Sequence, residues 1–285
     1  MKKIGFIDYF LDEWHANNYP QWIADTRNGG RYGVAFAWAA MDKPDGLTTG
    51  QWCAKYGVEQ ARSQKELIEK SDCIIVLSPD NPEQHEALAA LALQSGKPVY
   101  VDKTFATSRA AAERMFDTAQ RHGTPMYSTS ALRYAKELAW LKDNGIAQRD
   151  VAFASARGPG VFENYSVHQI ELIVAAMGTG AKRAIAHGTE NAPVVVYEYA
   201  DGRCSVVNHL PWSGFSLAVQ DETNRGAVLN VEGNFWEGFV DALLCFFDTG
   251  KPAVPREETC EAIAMHEAGA KALLKPGMWV DVPRA

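Results

Sequence analysis

The sequence predicts an α/β protein, in which a doubly wound parallel sheet is followed by an α+β domain with a largely antiparallel open sheet. Three observations predict this class. The chain has 285 residues, enough for two domains of ordinary size. Strand-like and helix-like segments alternate through the first half, as in βαβ units. From about residue 149 the strand-like segments instead follow one another through short turns.

The first half contains five strand-like segments separated by helical ones. The clearest strand is 72–77 (DCIIVL), because a continuous β-branched run is typical of a parallel strand buried on both faces. A capping box at Ser63 and Glu66 marks the start of one intervening helix. The other strands are predicted at 3–9, 33–40, 98–102 and 125–128. We therefore predict a Rossmann-like domain over residues 1–130.

The second half, residues 131–285, has the pattern of an α+β domain. One helix is predicted near 167–177 and two more follow the strands, near 234–247 and 257–274. The strands are predicted at 151–156, 194–199, 205–210, 215–219 and 227–231. An antiparallel sheet of this kind often buries its exposed face against a second copy, so we expect a homo-oligomer.

The composition excludes several classes of protein. The chain carries 28 basic and 35 acidic residues, a net charge of −7 that repels nucleic acid. No apolar run is long enough for a membrane span, and Asp8 interrupts the first apolar segment too early for a signal peptide. The five cysteines are scattered and without a CxxC pair, as in reduced proteins of the cytoplasm. We expect a cytoplasmic protein with a small-molecule substrate.

Five short motifs lie in a fixed order along the chain. They are SPDNPEQH at 78–85, GKPVYVDKT at 96–104, SALRY at 130–134, VHQIE at 167–171 and FVDAL at 239–243. In this order the motifs resemble those of the Gfo/Idh/MocA family of sugar and polyol oxidoreductases. The resemblance implies NAD or NADP as cofactor and a carbohydrate-like substrate.

The turn after the first strand departs from that family. A dinucleotide-binding turn needs glycines, so that backbone N–H groups can approach the pyrophosphate at a helix N-terminus. If His15 is aligned with the family's early histidine, Asp8, Phe10 and Glu13 take the three glycine positions. Each carboxylate would oppose a bound dianion by about 1 to 4 kcal/mol at short range. The sequence therefore predicts that the usual NAD(P) pose is lost.

The acidic residues of this turn have three alternative roles. In the first, Asp12 caps a helix over residues 13–25. In the second, Asp8, Asp12 or Glu13 forms a metal or polyol site with His15, since hard cations prefer clustered carboxylates. In the third, the turn holds a cofactor in a changed pose.

The resemblance also implies catalytic residues. Lys103 corresponds to the lysine of the family's Glu-Lys-Pro motif, and it would exchange a proton with a substrate hydroxyl or carbonyl. His168 matches a family histidine, whereas Asn164 replaces the aspartate that the family carries four residues earlier. An amide can orient a hydroxyl but cannot accept its proton, so the acid–base work falls on Lys103 and His168.

Other positions are candidates from their places in the sequence. For His85 and Asp42 a structural role is the alternative, and for Tyr165 the alternative is a mobile polar loop. Candidates for substrate binding are Arg133, Tyr134, Tyr165 and His85. Candidates for cofactor binding are Asp8, Asp42, Ser78, Pro79 and Asp102. Asn208, His209 and Trp212 form a further possible ligand surface.

Three functions remain open at this point. The first is an oxidoreductase acting on a sugar or polyol with a nicotinamide. The second is a non-redox lyase, isomerase or hydrolase that uses Lys103 and His168 as acid and base, with or without a metal. The third is a non-catalytic sugar-binding or regulatory protein. A fold alone cannot choose among them.

Overall fold

A computed structural model of the chain describes residues 1–284, which divide into two compact units. The first consists of Met1–Ala106, Ala111–Ser128 and Phe239–Val254. The second consists of Thr107–Ala110, Thr129–Gly238 and the chain from Pro255 on. The sequence predicts a single boundary after residue 130, so the two divisions differ at Thr107–Ala110, at residues 129–130 and, over the longest stretch, at Phe239–Val254.

The first unit is built on a parallel sheet of six strands. They lie in the order β3-β2-β1-β4-β5-β6, and every neighbouring pair is parallel. The strands are β1 (Lys2–Asp8), β2 (Tyr32–Ala39), β3 (Glu59–Gln60), β4 (Cys73–Val76), β5 (Val99–Val101) and β6 (Met126–Tyr127). The helices are α1 (Trp14–Asp25), α2 (Thr49–Tyr56), α3 (Gln64–Lys70), α4 (His85–Ala89) and α5 (Arg109–Arg121). The predicted doubly wound sheet is confirmed.

Two helix starts in this unit differ from the prediction. The N-cap of α1 is Glu13, whose side chain accepts the backbone N–H groups of the first turn, so the assignment of Asp12 as the cap was wrong. The sequence Asn81-Pro82, followed by an Ala/Leu-rich stretch, predicts one helix up to Gln94. The structure instead has a short α4 between two 3₁₀ turns, Pro82–Gln84 and Ala92–Gln94.

Gly5 shows why the one glycine near the first turn cannot belong to a dinucleotide fingerprint. It lies inside β1, and a Cβ atom at this position would clash with the side chains of Ser71 and Leu67. The missing side chain therefore lets α3 pack directly against the sheet.

The second unit contains a mixed sheet of seven strands in the order β12-β11-β7-β10-β9-β8-β13. The strands are β7 (Val151–Gly158), β8 (Ala181–Thr189), β9 (Ala192–Tyr199), β10 (Cys204–His209), β11 (Ser216–Asp221), β12 (Gly226–Asn230) and β13 (Val280–Asp281). Neighbouring strands are antiparallel except β7 and β10, which are parallel. The prediction of a largely antiparallel sheet is confirmed, although β8 was not predicted.

Helices cover one face of this sheet. They are α7 (Phe162–Met177) and α9 (Arg256–Leu273), whose residues form the core with the inward side chains of the strands. Two further helices are α6 (Ala139–Asp143) and α8 (Phe235–Thr249), and α8 belongs to both units. The opposite face of the sheet carries partly exposed apolar residues, among them Phe153 and Val228.

Within residues 1–284, every helix is too short or too polar to cross a lipid bilayer.

Candidate functional site

The candidate site of the first unit lies at the carboxyl edge of the parallel sheet. The strand order reverses between the adjacent strands β1 and β4, and ligands of doubly wound sheets bind at such a switch point. Asp8 ends β1, Ser78 and Pro79 follow β4, and Asp102 and Lys103 follow β5. The fold therefore brings to one edge the residues that the sequence analysis selected from three separate motifs.

Lys103 is held at this edge by its own backbone and by one side-chain contact. Its side chain is largely buried, and its backbone N–H donates to Asp102 Oδ1 at 2.8 Å. The Nζ atom donates a long hydrogen bond of 3.4 Å to the Pro79 carbonyl. Within residues 1–284 this is the one hydrogen bond of the ammonium group, which has three donors. Two N–H donors are thus available to a substrate.

Asp102 anchors the residues around it. Its buried carboxylate accepts hydrogen bonds from His15 Nδ1, from Tyr100 Oη at 3.4 Å and from the Lys103 backbone. Burial acts to raise the pKa of Asp102, but the charge and hydrogen bond of His15 and the charge of Lys103 hold it below its usual range. Asp102 is therefore an ionised group that fixes the position of His15 at the start of α1.

Glu13 caps the N-terminus of α1. Its backbone is extended (φ −128°, ψ 169°), its carboxylate accepts the N–H of His15 at 2.6 Å and the N–H of Ala16, and the residue is 3% exposed. Burial raises the pKa of Glu13 from 4.5 to about 7, against the opposing charge of His15 and the two backbone hydrogen bonds.

Asp8 is a third buried carboxyl group at this edge of the sheet, with Asp102 and Glu13. Its Oδ1 atom accepts the N–H of Tyr9 at 2.7 Å, whereas its buried Oδ2 atom has no hydrogen-bond partner in the part of the chain described. Burial, followed by the charges of Glu13 and Asp102, raises the pKa of Asp8 well above its usual range. These surroundings therefore favour the protonated form of Asp8.

The stability of the protein should depend on pH through Glu13, which faces Asp8, Asp102 and His15. Between pH 4.5 and about 7 the folded chain holds a proton that the unfolded chain releases, so this contribution is complete below pH 4.5 and lost as pH rises through 7. We expect the free energy of unfolding to fall by up to about 3 kcal/mol from this group. Urea unfolding of the wild type and of Glu13→Gln, which cannot titrate, measures the difference.

The matched control for this measurement is Glu69→Gln, since Glu69 is an exposed residue of α3. Its unfolding free energy should follow that of the wild type at every pH. Parallel curves for the wild type and Glu13→Gln would contradict the assignment of a titrating Glu13.

The predicted metal ligands bind other groups of the protein and are not arranged as a metal site. Asp12 accepts the N–H of Leu47 at 3.0 Å and the amide of Asn17 at 3.1 Å, whereas His15 binds Asp102. In residues 1–284 we find no group of three or more His, Cys, Asp or Glu residues arranged to hold a metal ion.

Two other predicted residues of this unit have structural contacts. Asp42, an exposed residue after β2, accepts the backbone N–H of Thr49 at 2.7 Å and its hydroxyl at 2.9 Å, which fixes the start of α2. His85 is fully buried, with Nδ1 hydrogen-bonded to the Phe105 carbonyl at 3.1 Å. Burial lowers the pKa of His85, so the ring is neutral. These contacts favour structural roles for both residues.

In the second unit, α7 carries the other predicted catalytic residues. Asn164 and His168 lie one helical turn apart and hence on the same side of α7. The Nδ1 atom of His168 shares a hydrogen bond of 2.7 Å with the Ser130 hydroxyl. Tyr165 is 41% exposed and contacts the His168 ring edge to face. A residue with a side chain at Gly160 would clash with Tyr165, and its φ of +88° also favours glycine.

Arg133 and Tyr134 are partly buried in this unit, and the Arg133 side chain is 7% exposed. The guanidinium of Arg133 forms ion pairs with Glu171 of α7 and Glu258 of α9. Burial, with a smaller contribution from Glu171, raises the pKa of Tyr134. The contacts of Arg133 favour a structural role over the predicted substrate binding.

A cavity of about 530 Å³ lies in the second unit, between the start of α7, the β8–β9 hairpin and the end of β10. Its polar wall includes Glu163, His187, Glu190 and Asn191. His209 also lines it, with Nε2 donating to the Gly160 carbonyl at 2.5 Å. Its buried Nδ1 atom, an acceptor in this tautomer, has no hydrogen-bond partner within residues 1–284.

The surface predicted from Asn208, His209 and Trp212 is not a single surface. Consecutive strand residues point to opposite faces, and Asn208 hydrogen-bonds Ser155 on the other side of the sheet. Trp212 is 81% exposed beyond the strand. Sequence reasoning missed most of the cavity wall because it did not predict β8.

One protein-family model matches part of the chain. Residues 36–129 match the sequence model described as "Oxidoreductase family, NAD-binding Rossmann fold", that of Gfo/Idh/MocA proteins. This part of the chain is therefore similar to Gfo/Idh/MocA oxidoreductases. The match begins inside β2, so it leaves out β1, the turn from Asp8 to Glu13, and α1. No curated protein sequence matches the chain.

Solved structures share the fold at low sequence identity. Myo-inositol dehydrogenase from Lactobacillus casei, in complex with NAD(H) and myo-inositol, has a TM-score of 0.81 and 16% identity, over 100% of this chain and 97% of that one. A probable dehydrogenase from Thermotoga maritima has a TM-score of 0.79 and 16% identity, over 98% and 99%. The WlbA dehydrogenase from Bordetella pertussis, in complex with NADH and UDP-GlcNAcA, has a TM-score of 0.76 and 14% identity, over 99% and 98%.

Proposed function

We propose that this protein of the oxidoreductase family acts as an enzyme on a hydroxyl group of a sugar, polyol or related substrate, with Lys103 as its proton-transfer residue. One observation carries the proposal. Lys103 is a largely buried lysine at the carboxyl edge of the sheet, beside the switch point, and two of its N–H donors have no acceptor among residues 1–284.

The chemistry of Lys103 follows from its surroundings. Oxidation of a hydroxyl group to a carbonyl releases a proton from oxygen and a hydride from carbon. A neutral amine at Nζ would accept the proton and a nicotinamide, if bound, would accept the hydride; an ammonium would return the proton in the reverse direction. Asp102, ionised and bonded to the Lys103 backbone, fixes the start of this side chain. The Pro79 carbonyl holds the other end.

Two observations support a hydroxylated substrate. The Lactobacillus casei protein was crystallised with myo-inositol and the Bordetella pertussis protein with UDP-GlcNAcA. The cavity in the second unit has the volume of a small-molecule site, and its carboxylates, amide and imidazoles are hydrogen-bonding partners for hydroxyl groups.

A second function, a non-redox lyase, isomerase or hydrolase, is favoured by the contacts of Glu13. The turn that would receive a nicotinamide dinucleotide is closed by that side chain. In this alternative Lys103 and His168 supply the acid and the base. Asn164 would orient a hydroxyl from the same side of α7.

The experiment that tests the proposal is a screen of polyols, aldoses and sugar acids with purified protein. Nicotinamide absorbance with NAD⁺ or NADP⁺ reports oxidation, and NMR in D₂O reports deuterium uptake at carbon, which proton abstraction without redox chemistry produces. The same assays are run on Lys103→Met. Activity that survives this substitution unchanged would overturn the role of Lys103.

The open face of the sheet is proposed to pair with a second copy of the chain. Phe153 and Val228 lie on this face with 37% and 69% of their surface exposed. Light scattering after gel filtration should give a dimer or larger oligomer, and Phe153→Glu should shift the mass toward the monomer by placing a charge in the interface. Leu274→Glu, at an exposed site after α9, is the control. A monomeric wild type would refute the pairing.

A further inference from the structure

We infer that Glu13 is a built-in substitute for the pyrophosphate of a nicotinamide dinucleotide: its carboxylate takes the anion position at the N-terminus of α1, so the protein binds no dinucleotide there. The inference favours the non-redox alternative above, because oxidation of a hydroxyl group needs a nicotinamide that this position does not hold.

The first step of the argument is the use of the helix N–H groups. A helix begins with N–H groups that lack partners within the helix, and these bind the pyrophosphate in dinucleotide-binding turns. In α1 the N–H groups of His15 and Ala16 already donate to the two carboxylate oxygens of Glu13. A dianion at this place would have to displace a carboxylate from the same donors.

The second step is that Glu13 is fixed from both sides. Its backbone has the extended conformation of an N-cap residue, and it is almost completely buried. His15, two residues further along the chain, is hydrogen-bonded through its ring Nδ1 atom to the ionised Asp102 at the end of β5. Movement of Glu13 out of the turn would therefore disturb a buried hydrogen-bond network.

The third step is the absence of space for a phosphate group. No glycine lies between Gly5 and Gly29, so no position of the turn allows the close backbone approach that the fingerprint glycines provide. Asp8 and Leu11 are buried in the same turn, with 1% and 2% of their surface exposed. The residues present thus do not fit a dinucleotide bound in the usual pose.

The experiment is a calorimetric titration at pH 8 with three probes, namely NADH, NADPH and inorganic pyrophosphate. The wild type should show no saturable binding of any of them below about 1 mM. Glu13→Ala exposes the two N–H groups and removes the charge, and it should bind pyrophosphate at least about tenfold more tightly than the wild type. Asp12→Ala is the matched control, because it removes the same charge from the neighbouring residue, whose carboxylate binds Leu47 instead.

Each outcome either supports or overturns the inference. Saturable binding of NADH or NADPH to the wild type, with a Kd below about 100 μM, would overturn it. A gain for Glu13→Ala but not for Asp12→Ala supports it, whereas equal behaviour of the two folded variants would overturn the assignment to Glu13. Circular dichroism checks folding, and Glu13→Gln, which removes the charge and keeps the size, replaces Glu13→Ala if that variant does not fold.

Discussion

Replacement of Lys103 by methionine should lower kcat/KM by about 10²- to 10⁴-fold, the usual contribution of a positioned proton-transfer group. Methionine keeps most of the length and apolar surface of the side chain but cannot carry a proton. The loss should appear mainly in kcat, because the proton moves only as the reaction proceeds. Steady-state kinetics on the best substrate of the screen measure it.

Two further variants distinguish proton transfer from a general loss of charge. Lys103→Arg keeps the positive charge but cannot release its proton at neutral pH, so it should remain as impaired as Lys103→Met. Lys65→Met, an exposed position on α3, should leave the kinetics unchanged. Recovery of wild-type kcat by Lys103→Arg would show that Lys103 supplies charge alone.

The fold could be predicted from the sequence where the pattern is strong. The apolar run at β4 identified a buried parallel strand within a residue of its observed ends. The strand β8 was missed, because its sequence AKRAIAHGT is rich in alanine and charged residues of weak β-propensity. Pairing along β9 forms this strand in spite of that propensity.

The candidate site could be predicted only in part. The positions of Lys103 and Asp102 follow from a strand end, which the sequence marks clearly. The choice of Glu13 over Asp12 as helix cap does not, since Asp is among the residues preferred at the N-cap and Glu is not. The observed choice depends on the N–H of Leu47, a residue of a later loop that draws the Asp12 carboxylate away from α1.

A related reason explains why the ion pairs of Arg133 could not be predicted from the sequence. An arginine in a motif that resembles an enzyme family suggests substrate binding, whereas its partners Glu171 and Glu258 lie 38 and 125 residues further along the chain. Contacts at such separations are fixed by the packing of α7 and α9, and no local pattern reveals them.

The two parts of the candidate site in the first unit have different relations to the family. The region that the family model matches, residues 36–129, contains Lys103, whereas the unmatched N-terminal turn contains Glu13. The protein thus keeps Lys103, the proposed proton-transfer residue, and fills the anion position at the start of α1 with Glu13. This combination is consistent with chemistry at a hydroxyl carbon. For this reason the nucleotide titration and the Lys103 kinetics are independent tests.

The largest effect on stability is expected from Arg133→Met. Burial raises the pKa of Glu171, which depends on the guanidinium for its charge compensation, and Glu258 shares the same partner. Removal of one partner from a buried ion pair costs about 3–5 kcal/mol, because the remaining charge is left uncompensated. We expect the free energy of unfolding, measured in urea at pH 7, to fall by about that amount.

A second substitution tests the cause of this loss. Addition of Glu171→Gln to Arg133→Met removes the uncompensated charge, so the double variant should be more stable than Arg133→Met alone. Arg149→Met, at a side chain that is 89% exposed, should change stability by less than about 0.5 kcal/mol. If Arg133→Met were as stable as Arg149→Met, the ion pairs would not hold α7 and α9 together, and a substrate-binding role for Arg133 would regain support.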